Sequence, residues 1–456
     1  MSRRLSRAHD GRPVAEVRMI HLGLGNFFRA HTAVYTAHAT DAADWGIAAF
    51  TGRSSAMATT LEDQGGLYTV VVQKPEGNTY EVIDVVSAAL PGPDVAALLE
   101  FFARPEVAIV TSTVTEAAYL LDESGALDAD HPGIVTDIEA LRTNRLTAVT
   151  TVPGKFVAGL LRRRAADAGP LTFVPCDNVP ENGRMVETVV RGLAGLVAPD
   201  LNAWIDTSVG FVTTMVDRIT PQVPAGIGRS VLADTGIDDA APVATEPFSE
   251  WVLAGNFVGG RPAWESAGAT FVDDIVPHEM RKLWLLNGSH SLMAYAGPVL
   301  GCVTVHDAIS HPLLAVWVNQ WWDVAARHLP LPAAEIADYR AALVERFGNP
   351  RMKDGLARIA ADGSVKIPIR IVPALIADRA AGGDPVGAER VIAAWVLHLR
   401  GVGAPVNDAR GELVASLRAG TLADAVSASC DYLEINDQTS RASVLALAEE
   451  LLNVAR

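Results

Sequence analysis

Met19-Ile20-His21-Leu22-Gly23-Leu24-Gly25-Asn26-Phe27-Phe28-Arg29-Ala30-His31 reads as the end of a buried strand, a glycine turn and the opening of a helix. An apolar run, Val17–Leu22, feeds the turn. Gly23 permits a tight bend, and Gly25 lets backbone approach a pyrophosphate at a helix N-terminus. This is the first part of a dinucleotide fingerprint. Position 28, where a third glycine belongs, is Phe, so the turn by itself also suits a purely structural role. An acidic residue about 20 positions on would hold the adenosine ribose. The next strand instead ends Thr51-Gly52-Arg53-Ser54-Ser55. Arg53 and the serines suit a 2′-phosphate, which leaves NADP open beside NAD.

Outward from the turn, short β-rich runs alternate with helical patterns. Gly46–Thr51, Tyr68–Gln73, Val107–Thr111 and Leu171–Pro175 read as strands, and Asp94–Phe102 and Gly154–Ala166 as helices. Such alternation predicts an α/β fold with a mainly parallel sheet. From about Pro277 the period becomes helical: Leu314–His328, Ala333–Phe347, Pro368–Ala381, Val386–Leu399 and Ser440–Val454. The expected organisation is a Rossmann-like domain over 15–274 and a mainly α-helical domain over 275–456.

The bulk numbers narrow the function classes. The 456 residues carry 37 Lys plus Arg against 53 Asp plus Glu, a formal charge of −16. An acidic surface repels phosphate backbones and argues against nucleic acid. The cysteines, Cys176, Cys302 and Cys430, are far apart and form neither a disulfide framework nor a thiolate zinc site. A reducing cytoplasm is the expected compartment. The basic start is followed by no apolar run of a secretory signal, and the apolar stretch around 292–305 is broken by Gly297, Pro298 and Gly301, so no membrane span is expected.

Residues 280–290, Met-Arg-Lys-Leu-Trp-Leu-Leu-Asn-Gly-Ser-His, carry the candidate chemistry. On an α-helix Lys282, Asn287 and His290 stand at about 0°, 140° and 80° around the axis, so one face can present all three. Oxidation of an alcohol without metal needs a base for the hydroxyl proton. Lysine serves if desolvation or a nearby cation lowers its pKa. An asparagine amide can donate to the oxygen that gains charge. A surface lysine, a helix-end asparagine and a core histidine would give the same letters.

Combined with other motifs, the chain resembles the polyol-specific long-chain dehydrogenases. The resemblance rests on Gly-Leu-Gly-Asn-Phe-Phe-Arg-Ala-His (23–31), Thr-Val-Thr-Glu (113–116), Cys-Asp-Asn-Val-Pro-Glu-Asn-Gly (176–183) and Val-Asp-Arg-Ile-Thr-Pro (216–221). It continues in Glu-Pro-Phe (246–248), Gly-Arg-Pro-Ala-Trp (260–264), Lys-x4-Asn-x2-His (282–290) and Asp-Gly-Ser-x-Lys-x-Pro (362–368). It implies a Rossmann-like domain, a helical domain and a zinc-free, mostly NAD-dependent alcohol–ketone oxidoreduction. It also implies roles: Lys282 as general acid/base, Asn178 and Asn287 as the pair on the reacting oxygen, and His290 orienting substrate. Arg358 and Lys366 would hold the far hydroxyls, Asp217 would lie near the nicotinamide, and Glu116 would be an active-site carboxylate that connects the base to solvent. The cofactor side would comprise Gly23, Gly25, Asn26, Phe27, Thr115, Asn178, Val216 and Asp217, with Arg53 added from the strand tip.

The family divides between neutral polyols and sugar acids. Segments 255–264, 276–291 and 362–370 look closer to its fructuronate (D-mannonate) reductases. A carboxylate favours cationic partners, and Arg358, Lys366 and Arg370 lie within one short stretch. D-Fructuronate/D-mannonate is therefore the first expectation and D-mannitol/D-fructose the second. A catalytically silent NAD-binding sensor is the reading from outside enzymology. A zinc enzyme is disfavoured, because His278 and His290 lack ligand spacing with a cysteine or carboxylate. Oligomeric state is not readable from the sequence.

Overall fold

The computed structural model describes residues 3–52, 54–222 and 226–454. Two compact units divide the chain, one running to Ile275 and the other starting at Val276.

The first unit is built on six parallel strands: β1 (Val17–Leu22), β2 (Gly46–Phe50), β3 (Val86–Leu90), β4 (Ile109–Ser112), β5 (Leu171–Pro175) and β6 (Val209–Phe211). Their spatial order is β3-β2-β1-β4-β5-β6, the doubly wound order whose direction reverses between β1 and β4. Both faces are buried, as a parallel sheet requires. Alternate side chains part between them: Ile20, Leu22, Ala48, Phe50, Val110 and Phe173 join one core, and Met19, Ile47, Ala49, Ile109 and Val174 the other. The first core is closed by Val95–Phe102, Val152–Ala165 and Asn182–Val197. Asp94 caps the first of these through Ala97 N (3.0 Å), and Thr151 caps the second through Gly154 N (3.0 Å).

The expected strand at Tyr68–Gln73 forms as Tyr68–Lys74 but lies outside the main sheet. It pairs antiparallel with Gly77–Ile83 and parallel with Val243–Thr245. Its register is set by a segment roughly 170 residues away, which no local pattern encodes. The sheet position next to β2 is taken by Val86–Leu90 instead.

Among its described residues the second unit contains helices and no strand longer than an isolated bridge. Its centre is Val386–Leu399, buried at every position from Gly387 to Leu399, as expected of a helix packed on all sides. Gly288–Ala296, Pro312–Ala326 and Gln438–Val454 surround it. Its buried charges are paired: Glu389 with Arg379 (2.7 Å) and Arg390 with Glu450 (3.2 Å). The single helix expected over Pro368–Ala381 is two, Gly363–Arg370 and Val372–Ala380, with Ile371 at φ −121° between them. Pro373 lacks an N–H and its ring collides with the carbonyl four residues back, so the chain restarts there. Among the described residues no helix is long and apolar enough to cross a membrane.

Candidate functional site

The first unit's candidate site forms where β1, β4 and β5 end. Gly23 and Leu24 both donate to Phe50 O (2.8 Å each), which pins the turn to β2. Gly23 has φ +110°, and a Cβ there would stand 2.3 Å from Thr113 O. Only glycine fits. Thr113 Oγ1 also donates to Gly23 O (2.7 Å), so the turn is fastened to both neighbouring strands. Gly25 opens a helix over Asn26–Ala30 with no side-chain cap. The N–H groups of that first turn have no intrahelical acceptor, and they sit at the switch point of the sheet.

Phe28 explains the missing third glycine. Its ring stacks on His21 at 3.7 Å and 13°. His21 is held by Thr111 Oγ1 (2.8 Å) and Thr113 Oγ1 (3.1 Å), and burial drags its pKa down to about 3. The helix packs on the strand through a stacked pair rather than through close backbone contact. Arg29, wholly buried, donates to Ala241 O (2.5 Å), Asn26 Oδ1 (2.7 Å) and Gly25 O (3.3 Å). It thereby orients Asn26. Phe27 is part-buried against His31, with ring centroids 4.9 Å apart. Arg53 lies outside the described residues.

Thr115 and Glu116 are exposed just beyond β4, and Asn178 is exposed just beyond β5. The two tips are clamped by Asp177, to which no expectation from the sequence pointed. Its carboxylate accepts from Val114 N (2.5 Å), Ser112 Oγ (2.8 Å) and Tyr119 Oη. Burial pushes the Asp177 carboxyl above its usual range against the pull of these donors, and it pushes the Tyr119 phenol up as well. Asn182 extends the clamp, donating to Asp177 O (3.0 Å) and Thr214 O (2.9 Å) and accepting from Thr214 N (2.9 Å). Thr214 belongs to the strand Thr213–Asp217 that carries Val216 and Asp217, both buried. The signal available in the sequence was position alone: both Asp177 and Asn182 stand inside the 176–183 motif.

The second unit carries Lys282, Asn287 and His290, all part-buried. The segment is not the uniform α-helix expected. Val276–Arg281 is α-helical, Lys282–Asn287 is a π-turn, and Gly288–Ala296 returns to α. Gly288 N donates to Leu283 O, five residues back. In such a ring residues five apart take the place that residues four apart hold in an α-helix. Lys282 and Asn287 therefore lie on one side of the turn rather than about 140° apart. Single π-turns of this kind are rare and gather at functional sites. The His290 ring rests against Phe347, centroids 5.0 Å apart.

The cations expected at the substrate end are placed differently from one another. Arg358 is exposed and ion-paired with Asp354 (2.5 Å). Lys366 donates to Ile359 O (3.2 Å) and Ala361 O (2.5 Å), and burial, then the charge of Arg370, lowers its pKa. Arg370 Nη1 reaches Asn287 O (3.3 Å) and Ser291 Oγ (3.2 Å). Its Nε is buried without a hydrogen-bond partner, and it has no ion-pair partner among the described residues. Burial brings its pKa to about 10. Among the described residues no group of three or more His, Cys, Asp or Glu is placed to hold a metal ion.

Comparison with known proteins identifies the family. The mannitol dehydrogenase Rossmann domain profile matches residues 17–266, and the mannitol dehydrogenase C-terminal domain profile matches 274–445. D-Mannonate oxidoreductase of Escherichia coli (strain K12) is 37% identical over 398 residues, 85% of this chain and 81% of that protein. Mannitol 2-dehydrogenase of Cereibacter sphaeroides is 36% identical over 409 residues, 88% and 84% of the two. The solved mannitol 2-dehydrogenase of Pseudomonas fluorescens, a ternary complex with NAD and D-mannitol, superposes with a TM-score of 0.78 at 34% identity. That match covers 96% of this chain and 92% of the other. The chain belongs to the mannitol dehydrogenase family and is an oxidoreductase.

Proposed function

We propose that this protein interconverts a secondary alcohol and a ketone on a polyol or sugar acid with NAD, using Lys282 as the acid/base group. D-Fructuronate/D-mannonate is the first substrate pair. The observation that carries the reading is the π-turn, which sets an amine and an amide five residues apart on one side.

The glycine turn fits a dinucleotide. Gly25 leaves room on its open side, since a Cβ there would meet nothing nearer than Gly23 O at 3.5 Å. The uncapped N–H groups at 26–28 suit a pyrophosphate. Bound there, NAD supplies hydride transfer. The chain's own residues do the rest. In oxidation the Lys282 amine takes the hydroxyl proton, and in reduction its ammonium returns one to the ketone oxygen. The Asn287 amide donates a hydrogen bond to that oxygen as charge builds on it, a role that the family resemblance also gives to Asn178. His290 donates to a neighbouring hydroxyl. By the family resemblance Asp217 and Glu116 are carboxylates that serve the reaction, and Thr115 and Val216 serve the cofactor.

The choice of a sugar acid rests on Arg370. A part-buried guanidinium without an ionic partner among the described residues is costly unless something compensates it, and a substrate carboxylate would do so. Arg358 and Lys366 complete the cationic end. The relatives named for D-mannonate and for mannitol are alike in identity, so the proposed order rests on side-chain chemistry.

A panel assay following NADH absorbance tests this. D-Fructuronate should show the highest kcat/KM, with D-fructose second. A reversed order would move the assignment to mannitol. Cofactor binding without turnover on any polyol or sugar acid would favour the sensor. NADPH replacing NADH at equal efficiency would correct the cofactor.

A second prediction concerns the turn. Gly23→Ala forces a side chain into φ +110° and onto Thr113 O, which must displace the turn or β4. NADH affinity, read by fluorescence titration, should weaken at least about tenfold, or about 1.4 kcal/mol. An unchanged Kd would remove this turn from the binding site.

A further inference from the structure

A π-turn is uncommon because α-geometry normally competes better for the same residues. Relaxation of Lys282–Asn287 to α would turn the preceding helix by about 100° relative to Gly288–Ala296, and Lys282 would leave the side that Asn287 occupies. Something must hold the wider geometry, and the structure shows an unusual set of donors on its carbonyls. Trp321 Nε1 donates to Trp284 O (2.9 Å), and Trp322 Nε1 donates to Leu285 O (3.0 Å). Ser289 Oγ adds a second bond to Leu285 O (2.6 Å). Asn287 O accepts from Ser291 Oγ (3.2 Å) and Arg370 Nη1 (3.3 Å).

The two indoles are consecutive on the Pro312–Ala326 helix and are 0% and 1% exposed. An indole N–H is a donor only, and each of these is aimed at backbone rather than at a side chain or solvent. Gly288 makes the approach possible. A Cβ there would stand 2.6 Å from Trp321 Nε1, so the glycine closing the π-turn also admits the indole that grips it.

We propose that Trp321 and Trp322 are positioning residues for the reaction. By donating to the carbonyls of Trp284 and Leu285 they keep residues 282–287 in the wide turn and so hold Lys282 and Asn287 in register. The inference rests on the reading of those two as the reacting pair.

Trp321→Phe and Trp322→Phe remove the N–H and keep most of the apolar bulk. Trp317→Phe is the control: Trp317 is buried on the same helix but lies under Arg390, 4.5 Å from its guanidinium carbon. The variants are assayed well below their melting temperatures, and backbone hydrogen exchange over 282–291 is followed by mass spectrometry. Trp321→Phe and Trp322→Phe should each lose at least about tenfold in kcat with KM for NAD unchanged, and exchange in the turn should quicken. Trp317→Phe should do neither. Gly288→Ala, which pushes Trp321 away, should mimic Trp321→Phe if that variant fails to fold. Faster exchange with normal kcat would overturn the positioning role, and so would variants indistinguishable from Trp317→Phe. A wild type that turns over no substrate would defeat the functional reading instead, while the exchange arm would still report whether the indoles hold the turn.

Discussion

Replacing Lys282 with alanine is expected to lower kcat by roughly 10²–10⁴-fold, the usual worth of a positioned acid/base group, while the Kd for NADH stays put. The alcohol proton has to leave as hydride departs. Without the amine the proton has to find an acceptor that is not positioned for it. In the reverse direction the ketone oxygen gains negative charge and needs a proton that only a placed donor delivers on time. Asn287 would still stand on the same side of the turn, so part of the oxygen's stabilisation survives and the loss stops short of complete. Lys282→Arg should not restore activity, because a guanidinium keeps its proton at any working pH. Single-turnover kinetics and NADH titration of the same preparations separate chemistry from binding. A kcat within a few-fold of wild type would take the base away from Lys282 and direct the search to Asp217 and Glu116.

Arg163→Met is expected to produce the largest loss of stability in the first unit. Arg163 is fully buried and meets no carboxylate among the described residues. It donates to five backbone carbonyls instead: Ala168 (2.7 Å), Gly169 (2.9 Å), Pro170 (2.9 Å), Phe102 (3.0 Å) and Arg104 (3.1 Å). These carbonyls belong to the segments that lead into β4 and β5. One guanidinium therefore ties together the entry ends of two adjacent strands, on the far side of the sheet from the glycine turn. Burial lowers its pKa to about 10, so it stays charged at neutral pH and the charge is spread over carbonyl dipoles. Methionine fills much of the space but supplies no donor. Removing one member of a buried charged network costs on the order of 3–5 kcal/mol. At a few degrees per kcal/mol that is a fall of roughly 10 °C in Tm. Calorimetry should record it, with KM for NADH little changed well below the transition. An unchanged Tm would mean that water takes over all five acceptors.

The parts of this protein that the sequence makes legible are those whose cause is local. The short apolar runs Val17–Leu22 and Gly46–Phe50 announce strands buried on both faces, and Gly23 at φ +110° is a conformation that only glycine takes easily. Ala333–Phe347 and Val386–Leu399 follow helical periodicity to the residue. What was misplaced depended on distant partners. Tyr68–Lys74 reads as a strand, yet Val243–Thr245 decides which sheet receives it. Phe28 reads as a broken fingerprint until His21 is seen beneath it. Asp177 and Asn182 look like spacers in a motif, although they join the tips of three strands.

The amino-acid order alone determined the mainly parallel α/β sheet, the glycine turn and the presence of a lysine, an asparagine and a histidine within nine residues. Each comes from side-chain period or from the steric freedom of one residue type. The tertiary structure decided the geometry in which those groups are offered. In isolation Lys-Leu-Trp-Leu-Leu-Asn would favour the α-turn over the π-turn, the two differing in which carbonyl each N–H reaches. The choice between them is made by hydrogen-bond donors that arrive from elsewhere in the fold, two of them indoles 37 residues away along the chain.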